Sequence, residues 1–244
     1  MDLYSPASEE SSYAQMTMHL LLMTPDEKSF IWVTDELARF GKTDYGTVDK
    51  VTYLRDLKIA CSIWGDMTAM RARDEIIRRA KDNSLPLSDP GEMVVSLKDV
   101  GAQTLLTEFR TPSAPQPVPR GVILATLGDT PHIYTLALNG IPMAVRITGQ
   151  VNCGDDDNPA LLFPAYYYER SEKSVEELIS IGVHAMKLAA IMNGKGLRGI
   201  RVWTYHEGNF KGLDREGIRP YVLLSDSIDL GILEKFKSGP QPNS

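Results

Sequence analysis

The order in which strand-like and helix-like segments follow one another constrains this chain most. Met18 to Met23 is apolar, Thr24-Pro25-Asp26-Glu27-Lys28 has turn chemistry, and Phe30-Ile31-Trp32-Val33 is apolar and partly β-branched, which predicts a hairpin. Val51 to Leu54 and Ile59 to Ile63, split by Arg55-Asp56-Leu57-Lys58, predict a second hairpin. A helix is then expected over Met67 to Lys81, where Met67, Met70, Ile76, Ile77 and Ala80 make one apolar stripe among Arg and Glu. Asn, Ser and Pro between Asn83 and Pro90 end it. Val94 to Phe109 reads equally as helix or strand, and the proline-rich stretch from Thr111 to Pro119 reads as an extended loop, because Pro fixes φ and donates no hydrogen bond.

The second half repeats the scheme. Gly121 to Thr126, His132 to Leu138 and Ala144 to Thr148 predict strands, with Asn139-Gly140 as a hairpin turn that accepts positive φ. Ser174 followed by Glu177 is a capping box, opening a helix through roughly Met192 that Asn193-Gly194 stops. Gly199 to Tyr205 and Tyr221 to Leu224 read as later strands. Strands, helix, strands, helix, strands is not the alternation of a parallel βαβ sheet, so the pattern predicts an α+β chain with sheets and helices segregated.

At 244 residues the chain suits one domain with extensions. Residues 1 to 16, rich in Ser, Glu, Pro and Tyr without apolar periodicity, are expected to be a flexible leader or propeptide, residues 17 to 236 the domain, and 237 to 244 a frayed tail. A formal net charge of −6 argues against a surface built to coat phosphates, so no nucleic-acid partner is expected. No apolar run approaches the roughly 20 residues of a membrane helix, and the start lacks the basic and apolar regions of a signal peptide, so the reading is cytoplasmic with no membrane partner. Two cysteines, Cys61 and Cys153, and four scattered histidines, His19, His132, His184 and His206, give neither a disulfide framework nor metal-ligand spacing. Asp155-Asp156-Asp157 misses the pattern of a calcium loop and reads as a solvated turn, and Tyr166-Tyr167-Tyr168 reads as packing. No cofactor or metal is expected.

Three residues, taken with the order of elements, carry a resemblance. Thr17 opens the first strand, Asp35 in Trp-Val-Thr-Asp closes the second, and Lys50 in Asp-Lys-Val-Thr-Tyr-Leu leads into the third. Over roughly residues 17 to 210 this resembles the proteasome β-type and HslV-type subunits of the N-terminal-nucleophile hydrolase superfamily. The resemblance implies a four-layer αββα sandwich of two antiparallel sheets. It also implies Thr17 as nucleophile, Lys50 as electrostatic activator and Asp35 as the group that holds the lysine. A threonine hydroxyl needs a base, and a free α-amine, with a reference pKa of about 7.7 to 8.0, supplies one on the same residue. Thr17 therefore reacts only as the first residue, reached by initiation at Met16 and methionine removal or by cleavage of residues 1 to 16.

Other positions of that family map less closely. Its oxyanion turn corresponds to Ser62-Ile63-Trp64-Gly65-Asp66, with Gly65 and Trp64 as the oxyanion and substrate-binding candidates, Trp64 standing where a small residue is customary. Its Gly-Ser-Gly segment corresponds to Cys153-Gly154-Asp155, and its last polar motif to Gly194-Lys195-Gly196-Leu197-Arg198-Gly199, which lacks both polar partners of the terminal amine. The leading expectation is a threonine peptidase or amidohydrolase working by acyl transfer on a peptide or protein substrate within a homo-oligomeric ring, any unfoldase partner being unassigned. The alternatives are a catalytically inactive structural subunit of the same fold and an unrelated α/β binding protein, the last favoured if Thr17, Asp35 and Lys50 do not converge.

Overall fold

A computed structural model describes residues 17–40, 43–47, 49–109, 119–154, 160, 162–192 and 199–238. The leader, the proline-rich stretch 111–118, the triple aspartate, the 193–198 segment and the tail beyond 238 lie outside the described residues.

The first hairpin joins β1 (His19–Met23) to β2 (Phe30–Asp35). Its turn closes on itself: the Thr24 hydroxyl accepts from Ser29 N at 3.0 Å, and Asp26 Oδ1 accepts from Lys28 N at 3.0 Å. Both strands are buried along their whole length, as expected of strands covered on both faces. In the pleat, Leu21, Met23, Phe30 and Trp32 point one way, and Leu20, Leu22, Ile31 and Val33 the other. A short hairpin, β3 (Leu37–Phe40) with β4 (Thr43–Thr47), follows.

Next come β5 (Thr52–Leu54), a 3-10 turn at Arg55–Leu57, β6 (Ile59–Trp64), α1 (Met67–Lys81) and α2 (Pro90–Phe109). Asp66 caps α1, its carboxylate accepting from Thr68 N at 2.9 Å. After them run β7 (Gly121–Thr126), β8 (His132–Ala137), β9 (Met143–Ile147) and β10 (Gln150–Cys153), then α3 (Leu162–Tyr168) and α4 (Val175–Met192). The expected capping box forms, Ser174 Oγ accepting from Glu177 N at 3.3 Å and Glu177 Oε2 from Ser174 N at 3.2 Å. The chain closes with β11 (Ile200–His206), β12 (Asn209–Gly212) and α5 (Arg215–Ser238).

The strands form two antiparallel five-stranded sheets, ordered β10-β1-β2-β11-β12 and β5-β6-β7-β8-β9. Three separate apolar cores define four layers. Ile59, Cys61, Val122 and Leu124 of the second sheet pack on Ala72, Ile76 and Leu97 of α1 and α2. Leu20, Ile31 and Val33 of the first sheet pack on Leu178, Val183 and Met186 of α4, with Ile218 of α5. Between the sheets lie Leu21, Phe30, Trp32, Ala60, Trp64, Ile123, Ile133 and Tyr205. The architecture is the αββα sandwich.

Several expectations change. The ambiguous Val94 to Phe109 is helix, its inward residues Leu97, Val100 and Leu105 buried. Tyr221 to Leu224, read as a strand, lies in α5, and that helix runs through Lys237 and Ser238, into the stretch expected to fray. The reason is that α5 keeps Leu223, Leu224, Ile228, Leu230 and Leu233 exposed, so its sequence lacks a clean apolar stripe and a four-residue apolar run imitates a strand. Of Tyr166-Tyr167-Tyr168, read as packing, Tyr168 is buried, its hydroxyl donating to the Met23 carbonyl at 2.7 Å, whereas Tyr166 and Tyr167 are exposed.

Candidate active site

Thr17, Asp35 and Lys50 meet. The register His19↔Thr34 brings the start of β1 beside the end of β2, and Asp35 N donates to Met18 O at 3.4 Å. Asp35 Oδ1 in turn accepts from Met18 N at 2.9 Å, so the carboxylate is fixed against the backbone of the residue that follows Thr17. Its second oxygen takes Lys50 Nζ at 2.8 Å, and the same ammonium reaches Thr17 Oγ1 at 3.3 Å.

All three groups are withdrawn from water. Thr17 is 2% exposed, Asp35 is fully buried and the Lys50 side chain is 10% exposed. Burial pulls the Lys50 amine below its ordinary 10.5, while the charge and hydrogen bond of Asp35 work in the opposite direction. A buried ammonium held by one carboxylate, with its remaining reach directed at a hydroxyl, can polarise that hydroxyl and stabilise negative charge forming on it.

Thr17 is also held from its carbonyl side. Gly154, at the end of β10, has φ +116°, and a β-carbon there would lie 1.6 Å from Thr17 O. Only glycine allows the two backbones to approach so closely. Asp155, the next residue, lies outside the described residues.

Trp64 ends β6 and Gly65 follows it. The register pairs Trp64 with Gly121, and the indole lies over that glycine, where a β-carbon would come within 2.4 Å of the ring. Trp64 is therefore a buried part of the core between the sheets, 6% exposed. Gly65 takes φ +95° and packs on Pro119 and Arg120, a β-carbon there falling 2.3 Å from Arg120 Cβ. Arg120 clamps this corner: its guanidinium reaches Asp66 Oδ2 at 2.7 Å, Glu108 at 2.8 and 2.6 Å, and Thr68 Oγ1 at 3.2 Å. Arg120 is 3% exposed, so the turn after β6 is fixed by a buried ion pair to α1 and α2.

Two residues near the site went unnoticed in the sequence. His19 is one of four scattered histidines in the chain and Ser62 is an unmarked strand residue at the start of the segment mapped to the oxyanion turn. The signal was alternation: a residue two places after Thr17 on a strand shares its face. Among the described residues no cluster of His, Cys, Asp and Glu is arranged to hold a metal, and no helix is long and apolar enough to cross a membrane.

Thr17, Asp35 and Lys50 meet beside the start of β1 in an αββα sandwich of two stacked antiparallel sheets, a proteasome-like fold. Two solved structures share it. Anbu (ancestral beta-subunit) from Yersinia bercovieri superposes with a TM-score of 0.68 at 10% identity, over 93% of this chain and 99% of that one. A Gly-1 mutant of Anbu from Hyphomicrobium sp. strain MC1 gives 0.65 at 11% identity, over 93% and 100%. No protein-family profile matches the chain, and no curated protein matches it by sequence. The resemblance to proteasome β-type and HslV-type subunits is corrected accordingly: the structural likeness is to Anbu, and it is a likeness of fold. The physical reason is that three residues at strand ends mark a position the architecture creates, and such positions do not separate one branch of a fold from another.

Proposed function

We propose that this protein is a threonine-type amidohydrolase or peptidase, with Thr17 as nucleophile once it is the first residue of the chain. The observation that carries the reading is the single ammonium of Lys50, 3.3 Å from Thr17 Oγ1 and 2.8 Å from Asp35 Oδ2. Thr17 Oγ attacks the carbonyl carbon of an amide, and its proton passes to the Thr17 α-amine, leaving an oxyanion on the substrate. Lys50 offsets charge on the attacking oxygen, Asp35 holds Lys50, and the backbone N–H of Gly65 is the candidate donor to the oxyanion. Collapse breaks the C–N bond, the amine product leaves with the proton, and water then hydrolyses the ester on Thr17. Trp64 contributes as a rigid wall behind the turn rather than as a donor.

The same reading takes the subunit into a homo-oligomeric ring. Supporting it is the exposed apolar face of α5, a kind of surface that soluble monomers usually cover. Convergence of the three residues disfavours an unrelated binding protein, whereas an inactive subunit of this fold is the reading that remains if chemistry fails.

The test is turnover. Protein beginning at Thr17 should cleave a panel of fluorogenic peptides, while Thr17→Ala and protein retaining residues 1 to 16 should not. Equal turnover by Thr17→Ala excludes the mechanism. Silence of a folded, assembled Thr17-start protein across the panel leaves the inactive-subunit reading in its place.

A further inference from the structure

The middle of the sandwich contains a polar chain that neither sheet needs for its own hydrogen bonding. His19 on β1 is fully buried. Its Nδ1 accepts from Trp32 Nε1 of β2 at 3.2 Å, which puts the ring proton on Nε2. That proton points across the gap to β6, where Ile63 O lies at 3.0 Å and Ser62 Oγ at 3.2 Å. Ser62 spends its own proton on the carbonyl of Lys50, at 2.6 Å. Trp32, His19, Ser62 and Lys50 thus run as one hydrogen-bonded strut from the first sheet to the second.

Ordinary packing does not account for it. The neighbouring positions between the sheets are Leu21, Phe30, Ala60 and Ile123, and an apolar residue at 19 would avoid burying three polar contacts. What the strut reaches is specific. Lys50 is fixed at its carbonyl by Ser62 and at its ammonium by Asp35, so both ends of the residue are restrained. The far end of the strut, Ile63, is two residues from Gly65.

We propose that His19 and Ser62 are positioning residues that hold Lys50, and the end of β6 that leads to Gly65, in fixed relation to Thr17. The inference rests on reading Thr17, Asp35 and Lys50 as a reacting site. A lysine is a flexible stem whose ammonium would otherwise sample water, and an activating charge displaced by an ångström loses much of its effect. The ionisable groups facing the assembly are Asp35 on β2 and His19 itself, which burial keeps neutral, its pKa pushed down to about 3. Asp49, beside Lys50, is engaged by Arg201 at 3.4 Å and Trp203 Nε1 at 3.3 Å.

The test follows Lys50 directly. Full-length protein, Ser62→Ala and His19→Gln are treated at about pH 8 with a limiting dose of acetic anhydride, and acetylation of each lysine is read by peptide mass spectrometry. Lys187, held by Asp226 at 2.6 Å on the outer side of the first sheet, is the internal control. Ser62→Ala, which loses the bonds to both His19 and the Lys50 carbonyl, should raise Lys50 acetylation about ten-fold over wild type, with Lys187 unchanged. His19→Gln, which can still accept from Trp32 and donate towards Ile63, should fall between wild type and Ser62→Ala. Wild-type Lys50 labelling in both variants overturns the proposal, and so does equal acceleration of Lys50 and Lys187, which would mean general loosening. If wild type beginning at Thr17 proves inactive on every peptide, the functional reading fails while the acetylation ratio still decides the strut. Where wild type beginning at Thr17 turns over, both variants in the same form should lower kcat with little change in KM.

Discussion

Gly154 and Thr17 are in backbone contact so close that a β-carbon on the glycine would fall 1.6 Å from the threonine carbonyl oxygen. Gly154→Ala therefore has to move either the end of β10 or the start of β1. Its φ of +116° adds conformational strain of about 1–3 kcal/mol for any residue with a side chain. The substituted protein should unfold at lower denaturant concentration and lose turnover more than it loses stability, because the atom displaced belongs to Thr17. A Gly154→Ala protein with wild-type stability and rate would show that the contact is not kept in solution.

Arg120 should be far more sensitive than its surface counterparts. It is buried with Asp66 and Glu108, and removing one partner from a buried charge cluster costs about 3–5 kcal/mol. Arg120→Met leaves two carboxylates facing each other, whereas Arg78→Met breaks only solvent-screened surface pairs with Glu75 and Asp82 and should change stability little. Urea titrations of the two variants should differ by several kcal/mol in that order.

Acid should loosen the centre of the sandwich through His19. In the folded chain burial pushes its pKa down to about 3 from the ordinary 6.5, so the unfolded chain binds the additional proton between those values. The contribution is complete above pH 6.5 and is lost as pH falls towards 3, with a slope of up to about 1.4 kcal/mol per pH unit for one proton. His132 and His184 are lowered in the same direction, so the informative quantity is a difference. Between about pH 6 and pH 4 the stability of His19→Gln should decline less steeply than that of wild type. Parallel curves would count against a neutral buried His19.

The seam between α4 and α5 is polar at its heart. Ser225 Oγ accepts from Lys187 Nζ at 3.0 Å and donates to His184 Nδ1 at 2.6 Å, all beneath a helix whose outer face is apolar. Ser225→Ala strands the imidazole nitrogen, a loss of about 1–3 kcal/mol. Amide hydrogen exchange should quicken in α5 and stay unchanged in α1, which packs on the other sheet. Uniform quickening in both helices would contradict a local role.

Light scattering at micromolar concentration should report a mass well above 27.1 kDa, since α5 leaves Leu223, Leu230 and Leu233 more than half exposed. Replacing all three with Gln should shift the mass towards one subunit while leaving circular dichroism unchanged. A monomeric wild type would remove the ring from the functional reading.

Much of this was legible in the chain. The hairpin around Thr24 to Ser29, the helix α1, the capping box at Ser174 and the strands on either side of Asn139-Gly140 each carry a local signal, and each formed, although the buried face of α1 is Ala69, Ala72, Ile76 and Ala80 and the expected stripe residue Met67 is 57% exposed. So did the meeting of Thr17, Asp35 and Lys50, because strand ends in register deliver it. What failed had no local signal. α5 faces outward with leucines, β10 and β12 are short edge strands of mixed polarity, and β3 and β4 contain an irregular register between Ala38 and Arg39. His19 looked like a lone histidine because its partners, Trp32 and Ser62, come from two other strands and are known only once the sheets stack.

Trp32 and Val33 are adjacent in the chain yet belong to different cores, one between the sheets with the His19 strut, the other under α4. A change at Val33 is answered by helix residues that can be exchanged in concert, while a change at Trp32 is felt by the segment holding Lys50. Heritable variation can therefore accumulate in the outer layers without disturbing the seam. An architecture divided in this way is compatible with very different sequences, as the one-tenth identity to Anbu alongside a shared fold illustrates.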